Sequence, residues 1–273
     1  MNKLPMDKQI SVIGALVEGC SIRSVERMTG IHRDTIMRLS VRVGEGCTRI
    51  MDQTMRGLTC RQIQVDELWC YVGKKQRQVT MRDDWRQVGD AWTFVAMDRD
   101  TKLVPCFRIG KRTKKEATAF VTDLAGRLDV RCQLSSDGLN SYVAACEAAF
   151  GGDVDYGQIV KTYEAEPIGP GRYSPPKVVA TEKTIICGNP DPDMISTSHI
   201  ERLNLTTRMQ MRRFTRLTNG FSKKMDNLRA AVGLHFAHYN LARVHGTIRV
   251  TPAMEAGIAG HVWSIGELIE SAK

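Results

Sequence analysis

Cysteine pairs are missing from this chain: its eight cysteines never stand as Cys-x-x-Cys, and none has the paired histidine spacing of a zinc module. Long apolar runs are missing as well. Nothing approaches the roughly 20 residues that cross a bilayer, so no membrane association is expected. The opening Met1-Asn2-Lys3-Leu4-Pro5-Met6-Asp7-Lys8 does not run into the apolar core of a secretory leader. The cysteines are therefore expected as reduced, mostly buried thiols in a cytoplasmic protein. Acids, finally, are scarce in one place. Between Thr197 and Arg249 stand ten Lys/Arg but only two carboxylates, Glu201 and Asp226.

That local imbalance says more than the formal net charge of +9. A solvated face could carry that charge, but a basic block this dense is the usual footprint of a phosphate-backbone partner rather than a small molecule. The 273 residues, 42% of them hydrophobic, suffice for one large core with appendages or for two domains.

Three short helical patterns open the chain. Asp7 to Glu18 carries Ile10, Ile13, Leu16 and Val17 on one side; Ser21 to Gly30 and Ile31 to Ser40 follow, with a glycine at the turn. This is the pattern of a helix-turn-helix over residues 1–45, with Arg33 to Arg42 as the recognition helix and Arg33, Arg38 and Arg42 facing DNA. Residues 46–60 read as a linker, with room for a short helix around Arg49 to Met55.

The pattern then changes to β. Arg61–Val72, Trp92–Asp98 and Leu103–Ile109 read as three strands, Thr113–Leu128 as a helix, and Cys132–Ser136 as a fourth strand. Ser141–Phe150 is a second helix and Val154–Tyr163 a fifth strand. Residues 164–196 hold six of the nine prolines and interrupt the order, with an extended or hairpin piece at Val178–Ile186. A Ser/Thr cluster at Ser196 to Ser198 then opens a long helix, on which Ile200, Leu203, Thr207, Met211 and Phe214 form one apolar stripe. Glu201 lies at the edge of that stripe, with Arg208 and Arg212 on its side. Asn219-Gly220 ends the helix. Residues 221–273 hold a further helix from Ser222, another opened by Thr251-Pro252, and a last amphipathic piece.

A three-strand meander, then helix, strand, helix, strand and a long helix, is the order of an α/β ribonuclease H-like fold: a mixed five-stranded sheet flanked by helices, over residues 61–220. In such a sheet the first and fourth strands are neighbours. Asp66 on the first, Asp137 at the end of the fourth and Glu201 on the long helix would then converge. Three carboxylates repel one another unless cations lie between them, and hard oxygen donors suit two Mg²⁺ or Mn²⁺ ions per site. Glu67 competes with Asp66; strand alternation puts it on the other face, which favours Asp66. Asp98, Asp153 and Asp155 have better turn or surface readings.

At these residues the chain resembles the insertion-sequence-one (IS-one) type of bacterial DDE transposase. The likeness rests on Val65-Asp66-Glu67-Leu68-Trp69, on Ser136-Asp137-Gly138 with Tyr142 following, and on His199-Ile200-Glu201-Arg202-Leu203-Asn204-Leu205-Thr206-Thr207-Arg208. It continues through Met209 to Lys224 and is similar again over Tyr239 to His245 and Thr251-Pro252. The resemblance implies that Asp66, Asp137 and Glu201 are the DDE triad. It implies binding of terminal inverted repeats, then metal-dependent DNA cleavage and strand transfer, by a homodimer or larger assembly on double-stranded DNA. Arg208, Arg212 and Arg213 would position phosphates; Arg216, Lys223 and Lys224 extend the basic run, and Arg243 and His245 are further candidate DNA contacts. His199 could cap the helix or contact a phosphate. Two departures stand out: a 64-residue gap between the second and third acids, and no zinc-finger cysteines ahead of the first helices. The same acids would also serve a ribonuclease H-like nuclease without strand transfer, and the basic surface a domesticated DNA-binding regulator.

Overall fold

The computed structural model describes residues 4–163, 178–215 and 218–273. At its start the apolar periodicity becomes three helices: α1 (Met6–Val17), α2 (Ile22–Thr29) and α3 (Arg33–Thr54). The Ser21 side chain accepts a hydrogen bond from the Ser24 N–H and starts α2. Gly30, at φ 68°, stops it in the left-handed region where glycine pays no Cβ penalty.

α3 does not stop near residue 42. It runs 22 residues to Thr54, through most of the segment expected as a linker. Val43, Cys47, Ile50 and Met51 keep the helical period and are buried. Gly44 and Gly46 are places where another backbone meets the helix. A Cβ on Gly44 would stand 2.0 Å from the Ala230 carbonyl oxygen, and one on Gly46 2.0 Å from that of Ala272. Ala230 belongs to α7 (Met225–Leu241), and Ala272 follows α9 (Ile265–Ser271). The N-terminal helices are thereby fastened to the C-terminal ones. Between them, α8 (Pro252–Glu255) starts on a Thr251 cap with proline in its first turn, and α9 on a Ser264/Glu267 capping box.

The sheet is mixed, in the order β3-β2-β1-β4-β5-β6. Its strands are β1 (Gln62–Val72), β2 (Gly89–Asp98), β3 (Phe107–Gly110), β4 (Gln133–Ser136), β5 (Asp155–Tyr163) and β6 (Val178–Cys187). β1 runs antiparallel to β2 and parallel to β4; β4 and β5 are parallel. The first five strands thus have the order and directions consistent with the expected ribonuclease H-like sheet. Among the described residues the sheet has six strands where five were expected. The sixth is the extended piece at Val178, which forms an antiparallel pair with β5 and is exposed over most of its length. Its hydrogen-bonding edge is satisfied by β5 although its side chains have little to bury.

Helices cover both faces, which is why β2 is buried almost continuously from Thr93 to Asp98. On one face Phe94 meets Phe120 of α4 (Lys114–Ala125) and Tyr142 of α5 (Asn140–Phe150), with ring centroids 5.8 and 6.5 Å apart. On the other lies α6 (Ser198–Gln210), its N-terminal His199 and Ile200 N–H groups both held by the Gln64 Oε1 of β1. Ile200, Leu203, Thr207, Met211 and Phe214 are all buried, as their spacing predicts. The helix itself ends at Gln210, earlier than the Asn219-Gly220 stop expected from sequence, and a turn at Arg212–Phe214 carries the last two into the core. No helix among the described residues is long and apolar enough to cross a membrane.

Candidate functional site

β1 and β4 pair in parallel from Gln62↔Gln133 to Gln64↔Ser135. The same register carried two residues further sets Asp66 opposite Asp137. By then β4 has ended, so no neighbouring backbone separates the two side chains. Asp137 turns the chain towards α5: its Oδ1 accepts from the Leu139 N–H at 3.0 Å, and its carbonyl oxygen from Gln158 Nε2 at 3.1 Å. Asp66 Oδ1 accepts from the Glu67 N–H at 2.8 Å. Its other oxygen accepts from Asn204 Nδ2 of α6 at 2.7 Å.

Asp66, Glu67 and Asp137 form one group, with carboxylate oxygens within 4.8 Å of one another. Strand alternation does place Asp66 and Glu67 on opposite faces, as expected: Asp66 faces α6 and Glu67 pairs with Phe94 on the α4/α5 side. Alternation does not keep Glu67 away. Because β4 stops short, carboxylates from either face of β1 reach round its end to Asp137. Glu67 is buried, and its Oε2 accepts from Arg112 Nη2 at 3.1 Å. The Tyr142 hydroxyl lies close enough to act on the Glu67 charge, yet Tyr142 Oη and Glu67 Oε1 each lack a partner within hydrogen-bond reach.

Burial pushes Asp66 up to about 6 and Glu67 up to about 7, with repulsion from Asp137 acting the same way on both. Glu201 adds to the repulsion on Asp66, so it lies near. It stands outside the three-acid group, however. Its Oε1 accepts from Thr197 Oγ1 at 2.6 Å and is ion-paired with Lys161 of β5.

The expected DNA-contacting residues divide. Arg33, Arg212, Arg213 and Lys223 line one cleft between α2–α3 and residues 211–213 and 218–223. Arg212 reaches it because α6 ends before it, so it does not share the Glu201 side of a continuous helix. Arg213 donates to Ser222 Oγ at 2.6 Å. Arg38 and Arg42 are exposed on α3, where Arg42 donates to Gln9 Oε1 at 2.8 Å. Arg208 is half-buried in the last turn of α6, and Lys224 is exposed just before α7. Arg243 and His245 follow α7, half-buried; one Arg243 guanidinium nitrogen has no partner, and His245 stands edge-on to Tyr239. Arg216 lies outside the described residues. His199 does not cap its helix by side chain; its Nδ1 is 3.4 Å from Lys102 Nζ, and burial with that neighbouring charge lowers its pKa. All eight cysteines are free, six of them buried.

Residue reasoning assigned no role to Asn204, Lys161 or Arg112. Asn204 carried a signal, since it follows Glu201 by three residues and so shares its side of α6. Lys161 and Arg112 carried none: their partners come from elements far away in the chain.

No family model matches the chain, and no curated protein matches it. Among solved structures it overlays on a piggyBac transposase in a synaptic complex with hairpin DNA, over 98% of this chain and 69% of that one. The TM-score is 0.47 and the identity 10%. At that level the overlay says nothing of activity.

Proposed function

We propose that this chain is a DNA transposase of the DDE type, cutting and joining DNA by metal-dependent phosphoryl transfer. One observation carries the reading: two carboxylates distant in sequence, Asp66 and Asp137, meet where a parallel strand pair ends, beside a helix that brings Glu201 near. The IS-one resemblance of the segments around those three acids supports it.

The donor set fits a hard divalent cation. Only oxygens are offered, the acids repel one another, and two buried oxygens beside them, Glu67 Oε1 and Asn204 Oδ1, have no hydrogen-bond donor. Asp66, Asp137 and Glu201 would hold two Mg²⁺ or Mn²⁺ ions, which when bound supply activation of the attacking oxygen and stabilisation of the leaving one. The chain's own groups do the rest. Asn204 orients Asp66, and Gln64 fixes the start of α6 and with it the Glu201 position. Lys161 must yield Glu201 for that carboxylate to turn to a cation. Arg208, Arg212, Arg213, Lys223 and Lys224 supply phosphate contacts, which set position and affinity without reading sequence. The α2–α3 unit would read the terminal repeats as a helix-turn-helix, and two ends cut together imply a dimer or larger assembly.

The test is a DNA cleavage and strand-transfer assay with Mg²⁺ or Mn²⁺, on duplexes ending in the element's repeats and on pre-cut 3′-OH ends. Asp137→Ala should bind ends and neither cut nor join. Cleavage retained in that variant sinks the assignment; cleavage without joining in the unaltered protein favours a plain ribonuclease H-like nuclease.

A further inference from the structure

The cleft that gathers Arg33, Arg212, Arg213 and Lys223 differs from an open duplex-binding face. It holds about 1000 Å³, between the α2–α3 turn on one side and residues 211–213 and 218–223 with α7 on the other. That is the size of a large small-molecule pocket. A B-form duplex, with grooves about 8.5 and 7.5 Å deep, is at least ~16 Å across, wider than the roughly 10 Å edge of a cube of that volume.

Its chemistry is two-sided. Five cations line it, the four above and Arg23, against a single acid, Asp34. None of the five makes an ion pair with a carboxylate among the described residues, and Arg213 is held by a neutral hydroxyl alone. Yet most of the wall is apolar, with Leu16, Met37, Met211 and the Phe221 ring, which Tyr71 backs at a centroid distance of 4.6 Å. His235, 3% exposed, also lines the cleft and has an Nδ1 without a partner. An apolar wall with an aromatic ring, rimmed by cations that have no carboxylate partner among the described residues, suits a ligand that is flat and apolar in one part and anionic in another. Unstacked bases on a phosphate chain are such a ligand. Single-strand sites combine a basic track with aromatic surfaces in this way.

We infer that this cleft takes a short single-stranded DNA segment, bases on the Phe221 and Met37 side and phosphates on Arg23, Arg33, Arg212, Arg213 and Lys223. The inference deepens the proposed function and rests on it only for DNA as the polymer. Its test needs no chemistry, so its failure and the failure of the transposase reading are separable.

A labelled oligothymidine of about twelve nucleotides is titrated with the full chain in EDTA, followed by fluorescence anisotropy, with a mixed-sequence duplex of equal length as competitor. Binding is expected, with the duplex competing at least about tenfold more weakly than unlabelled oligothymidine. The double variant R212E/K223E changes exposed side chains only and should weaken oligothymidine binding by about tenfold or more; Phe221→Ala, which removes no charge, should weaken it by several-fold. Arg77→Glu, on an exposed turn outside the cleft, should change it less than the double variant does. No binding, equal competition by duplex, or R212E/K223E and Phe221→Ala both binding like the unaltered chain while melting at its temperature would each overturn the inference. Equal competition by polyglutamate would overturn it too, since any polyanion would then serve.

Discussion

The acidic group at the end of β4 and the basic cleft beside α3 are built on opposite plans. Asp66 and Glu67 sit on β1, paired there with β2, and Asp137 just past the end of β4, each side chain with partners at 2.7 to 3.1 Å. The cations sit on helix starts and at Arg212, Arg213 and Lys223, several of them exposed and none of the five tied to a carboxylate among the described residues. A group that must hold charge against charge needs rigid walls, because carboxylates free to move would part. Groups that meet a polymer gain from reach instead, since phosphates arrive at variable positions. Under the proposed function, stiffness at the acids would serve the chemistry and latitude at the cations would serve DNA binding.

The sharpest way to break that comparison is at the acids. Asp137→Asn should lower DNA cleavage by at least about 10³-fold, since residues acting as one unit lose most of their effect when any one is removed. End binding in a gel-shift assay should persist. If cleavage survives, the carboxylate group is only structural.

Next in size is the choice of third acid. Glu201→Gln should cost about as much cleavage as Asp137→Asn, whereas Glu67→Gln should retain measurable cleavage. The reverse ranking would make Glu67, already within the group, the true third ligand. Lys161→Met should sharpen the same point by freeing Glu201: the Mn²⁺ concentration at half-maximal cleavage should fall by several-fold, about 1 kcal/mol. An unchanged or higher value would mean that Lys161 does not hold Glu201 back.

A pH series separates burial from function. Asp66 and Glu67 titrate at about 6 and about 7 in the fold, above their ordinary 3.8 and 4.5. Their contribution to stability is thus complete below pH ~4 and lost as pH rises through ~6 to 7. Glu67→Gln, which cannot ionise, should therefore melt close to the unaltered protein at pH 5 but several degrees higher at pH 8. That corresponds to about 2 to 3 kcal/mol, less whatever Arg112 loses with its partner. Mn²⁺ should raise the melting temperature of the unaltered protein more at pH 8 than at pH 5, and should not do so for Asp137→Asn. Equal melting of Glu67→Gln and the unaltered chain at pH 8 would show that the Glu67 charge costs nothing.

The smallest effect belongs to a single exposed cation. Lys223→Ala should lower DNA affinity uniformly across sequences and reduce the slope of log affinity against log salt by about 0.7 to 0.9. A slope unchanged by the loss would remove Lys223 from the phosphate contacts.

Much of this was legible before any coordinates. Strand content placed Asp66 in β1 and Asp137 at the end of β4, the Ser/Thr cluster placed Glu201 early in α6, and the apolar stripe from Ile200 to Phe214 is buried as its spacing requires. Other readings failed for a shared reason. Residues 46–60 read as a linker, yet α3 runs on to Thr54: Gly46, and Gly44 just before it, each admit a second backbone, and the contact with α7 and the α9 end offsets the helix propensity glycine lacks. The extended piece at Val178 carried a strand composition but no sign of which edge it would join.

What the sequence determined by itself is therefore local: where apolar periods begin and end, which carboxylates fall on which element, and where positive charge accumulates. Tertiary structure alone decided that Glu67 joins Asp137, that Lys161 holds Glu201, and that Arg33 shares a cleft with Arg212. Those pairings depend on where one strand ends relative to its neighbour and on how closely two helices approach. Such distances are set by the packing of the whole core, and no run of adjacent residues encodes them.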